Sequence, residues 1–357
     1  MVAQKGSRRV IGLDLAERGW IPDFIVRFGI RRLLRARLQQ QNDLHDQNKR
    51  GKQSFYANRK NDPIAVQTED ANRQHYEMPA EMFRFILGPR MKYSCCFYPT
   101  GNECLAEAEE AMLELTCQRA DIRDGMSILE LGCGWGSLSL WIAERFPGTR
   151  IVAVSNSASQ KEYIDAQARE RGIQQVTVLT KNLTELDIEE QFDRVISIEM
   201  FEHMRNYHQL LERIAGWLKS DGKLFVHIFC HRLYAYLFET DSENDWMAKN
   251  FFTGGIMPSE DIFSHFSDHL RVACQWTIEG NHYANTCEDW ILHQDLNRQQ
   301  VFNVLHQHLP ADLAKLQFHR WRIFFMACAE LFAFRDGQEW WVAHYLFNKK
   351  AKAPSWE

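Results

Sequence analysis

Two short stretches of the chain carry groups able to do chemistry. The first is SILELGCGWGS, in which Gly132, Gly134 and Gly136 follow an apolar run and Glu130 stands just before the first of them. Glycines so spaced let a backbone turn sharply after a buried strand and admit a ligand at the start of the next helix. The second stretch is IEMFEHM, which gathers Glu199, Glu202 and His203 into one short segment. An imidazole that titrates near neutral pH, set beside carboxylates, suits the anchoring of a cationic amine and the removal of its proton.

The glycine loop has a competing reading as a dinucleotide site, which expects GxGxxG and an acidic residue near the end of the second strand. Both features are missing. The glycines here run GxGxG, and the second strand ends in Val154, Ser155, Asn156 and Ser157, with Gln160 beyond. Neutral polar groups would therefore meet a ribose and adenine, while Glu130 is placed to bind or orient the ammonium of a methionine moiety. This pattern predicts S-adenosylmethionine as the cofactor. Asn182, at the end of the third strand, is the candidate for adenine contact, although an asparagine there also suits a plain turn.

With that cofactor, methylation of an amine needs an unprotonated lone pair in line with the sulfonium methyl. His203 is read as the general base, Glu202 as its partner or as the amine anchor, and Glu199 as a second negative charge facing a cation. The competing reading is a helix start that merely favours acidic residues. His75, Tyr76, Phe251, Phe252, Tyr283, Trp290, Trp321, Phe324 and Phe325 lie outside the strands. Some of these rings are expected to enclose a flat or cationic acceptor, and most to pack.

These residues need a parallel sheet to position them. From Ser127 onward, apolar strands at 127–132, 150–156, 176–180, 194–200 and 222–229 alternate with helices at 138–146, 159–171 and 207–218, the pattern of a doubly wound α/β sheet. Residues 1–120 are expected to form a helical cap contributing to both sites, with a polar break from Gln39 to Asn61. Residues 121–230 form the cofactor-binding core. The order lapses over 231–320, read as an inserted helical lid carrying a sixth strand near 271–280, and 321–357 supply a closing helix and a last strand at 340–349.

Composition narrows the partners. A net charge of −5 gives no field to gather nucleic acid phosphates. Nine scattered cysteines without a CxxC offer neither a disulfide framework nor a metal site, and fit reduced thiols in the cytoplasm. No run is long and apolar enough to cross a membrane. The segment from Trp20 to Leu38 places Phe24, Ile25, Phe28, Leu33 and Leu34 on broadly one side of a helix ringed by arginines, read as a packed surface helix with a membrane-surface or targeting helix as the alternatives.

The motifs HYEMPAEMF, MKYSC, LELGCGWGS, SNSASQKEYI, ISIEMFEHM, KLFVHIFCH, FFTGGIMPS, WRIFFMACAELF and EWWVAHYLF, in this order, resemble the coclaurine N-methyltransferase family, an offshoot of the cyclopropane-fatty-acid synthases. The resemblance runs from about Gly19 to Lys349. It implies a Rossmann-like class I methyltransferase fold with a mostly parallel seven-stranded sheet, and methyl transfer to the nitrogen of a hydrophobic, benzylisoquinoline-type amine. By motif it assigns Tyr76, Glu199, Tyr283, Trp321 and Phe324 to the acceptor, and Glu202 and His203 to catalysis. Tyr93, Ser94, Glu130, Gly132, Gly134, Asn156, Gln160, Asn182 and Ile198 fall to the cofactor, and a homodimer is left open. The lipid-modifying branch competes, because Cys95, Glu202, His227 and Tyr283 match positions that hold bicarbonate in cyclopropane synthases, and Cys328 matches a cysteine of theirs while also reading as a small buried hydrophobe. Glycine usually stands in those synthases where this chain has Glu199, which favours the amine branch. A cofactor-binding interaction module and an O- or C-methylating enzyme remain as further alternatives.

Overall fold

The computed structural model describes residues 11–47, 51–66, 78–238 and 246–350. Its centre is a seven-stranded sheet in the order β3-β2-β1-β4-β5-β9-β8. The strands are β1 (Ser127–Leu131), β2 (Arg150–Ser155), β3 (Val176–Thr180), β4 (Phe192–Ile198), β5 (Leu218–His231), β8 (Leu270–Ile278) and β9 (Trp340–Lys349). The first five pair in parallel, and β9 enters antiparallel between β5 and β8. β1 and β2 read as continuous apolar runs because helices cover both faces of the sheet, so alternation would leave polar groups dry.

Local chemistry sets where the crossover helices begin. Gly136, left-handed at φ 77°, opens α6 (Ser137–Arg145). The Ser157 hydroxyl accepts from the Gln160 amide to cap α7 (Ala158–Glu170). Asn206 caps α8 (Tyr207–Trp217) through Gln209 N at 3.1 Å, and its own amide donates to Lys60 O and Asp62 O at 2.9 and 2.8 Å. One side chain thus starts a helix and ties the amino-terminal segment to the sheet.

The amino-terminal helices are α1 (Ile11–Glu17), α2 (Asp23–Gln47), α3 (Gly51–Asn58), α4 (Ala80–Arg84) and α5 (Leu105–Arg119). Among the described residues, the stretch from Gln39 to Asn61, expected to be a polar break, is helical. α2 continues to Gln47 because its polar residues bond along the helix, as Gln39 does to Asp43 at 2.7 Å, and α3 follows within the same stretch.

Between β5 and β9 the chain forms a small antiparallel pair, β6 (Tyr236–Leu237) with β7 (Ile256–Met257), around the short helix α9 (Trp246–Asn250), a pair the sequence reading did not anticipate. It then forms α10 (Gly280–Leu296), α11 (Arg298–His308) and α12 (Ala311–Phe332). Arginine clamps join α2 to this group. Arg27 reaches Glu288 and Glu330, Arg31 reaches Glu330, and Arg322 of α12 grips both Asp23 and Asp295 at 2.6 and 2.7 Å. The other face of α2 leaves Phe24, Ile25 and Phe28 exposed, so the apolar side of this helix is only partly packed. Among the described residues no helix is long and apolar enough to cross a membrane. All nine cysteines are free thiols.

Candidate active site

The carboxyl ends of β1, β2 and β4 open into a cavity of about 1130 Å³, closed opposite by α2, α12 and the segment around β6 and β7. Two walls of different chemistry line it, meeting where the loop after β1 touches Met200.

The first wall is the glycine loop and its neighbours. Gly132 N donates to Val154 O at 3.0 Å, pinning the loop to β2. At Gly132 the backbone is left-handed, φ 79°, and a Cβ would lie 3.0 Å from Met200, whereas Gly134 has nothing within 4 Å of where a Cβ would stand. The loop is therefore tight on its protein side and bare on its cavity side. Glu130 reaches the cavity wall while almost wholly buried, and takes a hydrogen bond from the Ser139 hydroxyl. Burial lifts its carboxyl to about 7. Gln160 is oriented by the Ser155 hydroxyl, which donates to its Oε1 at 2.7 Å. Tyr93, Ser94, Asn156, Asn182 and Ile198 complete this side. Asn182, the candidate for adenine contact, lines the cavity and also caps the next turn by accepting from Thr184 N at 3.0 Å. A carboxyl beside a bare glycine backbone, followed by neutral amides, fits a ligand that joins an ammonium to an adenosine.

The second wall begins where β4 ends. Glu199 adopts φ 47°, a left-handed conformation that costs a residue with a Cβ about 1–2 kcal/mol. Three hydrogen-bond contacts hold its carboxyl there. Cys95 N and His227 Nε2 meet Oε1 at 2.9 and 3.1 Å, and the Tyr283 hydroxyl meets Oε2 at 2.5 Å. Burial raises the Glu199 carboxyl, while the nearby Lys92 ammonium and the Cys95 and Tyr283 hydrogen bonds pull it down. His203, at the end of the short 3-10 turn Phe201–His203, stands on the cavity wall against Phe252, ring centroids 4.6 Å apart.

The remaining expected residues separate by depth. Glu202, expected to partner His203 or anchor an amine, is fully buried and off the cavity wall. Its Oε1 accepts from Phe229 N at 2.8 Å, and burial with the nearby Glu199 charge holds its carboxyl far above the ordinary range. Trp321 is also fully buried, behind Phe324, which does line the cavity. Cys95 and His227 touch the site through Glu199 instead of facing the cavity. Cys328 is half-buried and on the wall, more open than the small core hydrophobe expected. Tyr76 and His75 lie outside the described residues. Sequence reasoning missed Lys92, buried with its ammonium on Ser94 Oγ and Cys95 O at 2.5 and 2.7 Å. Its signal was a lysine between apolar Met91 and Tyr93.

Residues 65–340 match the family model described as mycolic acid cyclopropane synthetase. The (S)-coclaurine N-methyltransferase of Thalictrum flavum subsp. glaucum is 39% identical over 80% of this chain and 81% of its own length, and that of Papaver somniferum is 36% identical over 94% and 96%. A crystal structure of coclaurine N-methyltransferase bound to N-methylheliamine and SAH superposes with a TM-score of 0.91 at 36% identity, covering 96% of this chain and all of that one. The chain belongs to the coclaurine N-methyltransferase family. That family lies within the cyclopropane synthetase group, whose Escherichia coli cyclopropane-fatty-acyl-phospholipid synthase is 30% identical over 76% of this chain and 66% of its own. The chain is thus an S-adenosylmethionine-dependent N-methyltransferase with the class I fold that the alternating strands predict.

Proposed function

We propose that this enzyme methylates the nitrogen of a hydrophobic amine of benzylisoquinoline type, with Glu199 holding the cationic nitrogen and His203 taking its proton. The observation that carries the reading is the Glu199 carboxylate, held by contacts from Cys95 N, His227 and Tyr283 at a cavity whose lining also includes Phe229, Phe252, Phe324 and Phe332. A carboxylate met by aromatic faces is a cradle for an organic cation, because both attract positive charge and the rings also bury the apolar body.

S-adenosylmethionine supplies an electrophilic methyl on a sulfonium. The chain's own residues do the rest. Glu199 draws the protonated amine down to the end of β4. His203, one turn further along, accepts a proton at a ring nitrogen and leaves the lone pair free to attack. Glu202, gripping Phe229 N from behind, fixes the turn on which His203 sits. The aromatic walls keep water from competing for the amine proton. The small apolar pieces of α2 that reach the cavity, Gly29 and Ile30 among them, shape the acceptor end and favour a flat ring system.

The alternative of lipid cyclopropanation with bound bicarbonate is disfavoured by one contact set. Cys95, His227 and Tyr283, three of the four positions matched to the bicarbonate site, all bond to Glu199, Cys95 through its backbone N–H. The chain's own carboxylate sits where the dissolved ion would be needed. The deciding experiment is release of S-adenosylhomocysteine by the purified protein, offered benzylisoquinolines, simpler aromatic amines and vesicles of unsaturated phospholipid, with and without bicarbonate. Turnover on amines, unaffected by bicarbonate, is expected. Turnover on lipid alone, rising with bicarbonate, would replace this reading.

A further inference from the structure

Behind Glu199, hydrogen bonds continue out of the cavity and through the sheet. His227 of β5 and His344 of β9 are directly opposite each other in the antiparallel pair, and both are fully buried. His227 Nε2 meets Glu199 Oε1 at 3.1 Å, His227 Nδ1 meets His344 Nε2 at 2.9 Å, and His344 Nδ1 meets Arg119 Nη1 at 2.8 Å. Arg119 is the last residue of α5, half-buried, with its guanidinium over the Trp276 ring of β8 at 5.1 Å from the centroid.

The roles in this chain follow from elementary donor chemistry. A guanidinium has only N–H groups and cannot accept, so His344 Nδ1 must be the bare, accepting nitrogen. Burial, reinforced by the Lys92 and Arg119 charges, pulls both imidazoles well below their ordinary range, so each is neutral and carries a single N–H. That hydrogen is then on His344 Nε2, which donates to His227 Nδ1. His227 in turn must carry its hydrogen on Nε2, which donates to Glu199. Burial lowers Arg119 only to about 10, leaving it charged at neutral pH.

We propose that Arg119 is a positioning residue for the methyl transfer, acting through His344 and His227 to ensure that the Glu199 carboxylate is always met by an N–H. The chain of bonds conducts no proton, since its outer end gives none up. Its effect is orientation and charge. Without a fixed direction, the two imidazoles can reverse together and turn a bare nitrogen towards the carboxylate, which must then take up a proton to keep the bond. Glu199 would lose the charge that holds the amine. The groups facing it otherwise are Lys92, His203, the Cys95 amide, the Tyr283 hydroxyl and the Glu202 carboxyl, none of which replaces the His227 hydrogen.

This inference rests on the proposed role of Glu199, and two measurements keep the failures apart. The first needs no substrate. Nitrogen-15 NMR of histidine-labelled protein, with signals assigned from His227→Gln and His344→Gln, is expected to show both rings as Nε2–H tautomers in the wild type. Either ring as Nδ1–H overturns the proposal, whatever the enzyme methylates. The second compares wild type, Arg119→Met and Arg119→Lys in the pH dependence of kcat/KM for the amine. Arg119→Met is expected to raise the amine KM about tenfold at pH 7 and move the acid limb up by about one pH unit, with cofactor affinity unchanged. Arg119→Lys, also a donor without an acceptor, is expected to restore the profile. Equal losses in Met and Lys variants, or a Met variant with the wild-type limb, defeat the proposal. Should Arg119→Met not fold, the wild-type tautomers and the Lys variant still decide it. A wild type that turns over lipid and no amine overturns the functional reading instead, leaving the tautomers to be judged separately.

Discussion

The two walls of the cavity are built in different ways. The wall around the glycine loop, proposed to take the cofactor, draws mostly on residues 130–182, where successive strands deliver their carboxyl ends and the intervening glycines and caps are local in sequence. The wall proposed to take the acceptor is assembled from α2, from the chain around Phe229 and Phe252, from Tyr283 and from Phe324 to Phe332, parts hundreds of residues apart. A wall made of adjacent strand ends can hardly be altered without harming the sheet. A wall made of distant side chains can change its shape one residue at a time, and this is where substrate choice can vary on a fixed cofactor site.

If the walls work separately, damage should separate too. The largest effect is expected from His203→Ala, with turnover falling by about 10²–10⁴-fold and cofactor affinity untouched, checked by single-turnover kinetics beside calorimetry. Turnover that survives at saturating amine, at a pH where the amine is protonated, would remove His203 from the mechanism. Glu199→Gln comes next. It keeps the shape but loses the charge, and is expected to raise the amine KM by about 10–100-fold while the cofactor Kd stays put. Equal losses for both ligands would erase the distinction between the walls.

Glu130 offers the corresponding test on the cofactor side. Its carboxyl is raised to about 7 in the folded protein from an ordinary 4.5. Its protonated form therefore contributes stability that is fully present below about pH 4.5 and lost as pH rises through 7. A ligand ammonium prefers the ionised form, so cofactor affinity should strengthen about tenfold from pH 6 to pH 8, with proton release on binding. Glu130→Gln should flatten both trends; a wild type with no pH dependence would show that the ammonium is held elsewhere. The smallest effect is expected from Glu202→Gln, which retains an acceptor for Phe229 N and should slow turnover by about tenfold or less, under about 1.4 kcal/mol. A loss as large as that of His203→Ala would bring Glu202 into the chemistry itself.

The same division explains what could be read from the chain in advance. The seven sheet strands, the glycine loop with Glu130 and the polar residues after β2 follow from short-range patterns, and the structure places them together. From the sequence Glu202 reads as partner or amine anchor and Glu199 as a second charge, since nothing local shows which of two acids three positions apart reaches the cavity. What separates them is the left-handed turn at Glu199, which aims one carboxylate at the cavity and leaves the other against Phe229 N. The continuation of α2 past Gln39 was hidden because its polar residues mimic a loop in composition while bonding along a helix. Lys92, Arg119 and His344 carry no local motif, and only the folded chain brings them near Glu199. Trp321 was legible as apolar and aromatic, but not as lying one layer behind the surface.

The place of β9 has a consequence for how such a molecule is made. β8 joins the sheet only through β9, which comes later in the chain. During synthesis β8 must wait, its edge unpaired, until everything through Lys349 has emerged, and long-range closure of this kind is slow and exposed to aggregation. The same late strand brings in His344. The parallel strands β1 to β5 can therefore be in place on the ribosome well before the support behind Glu199 exists, so a chain released without its last strand would carry a recognisable cofactor loop and an unsupported acceptor site.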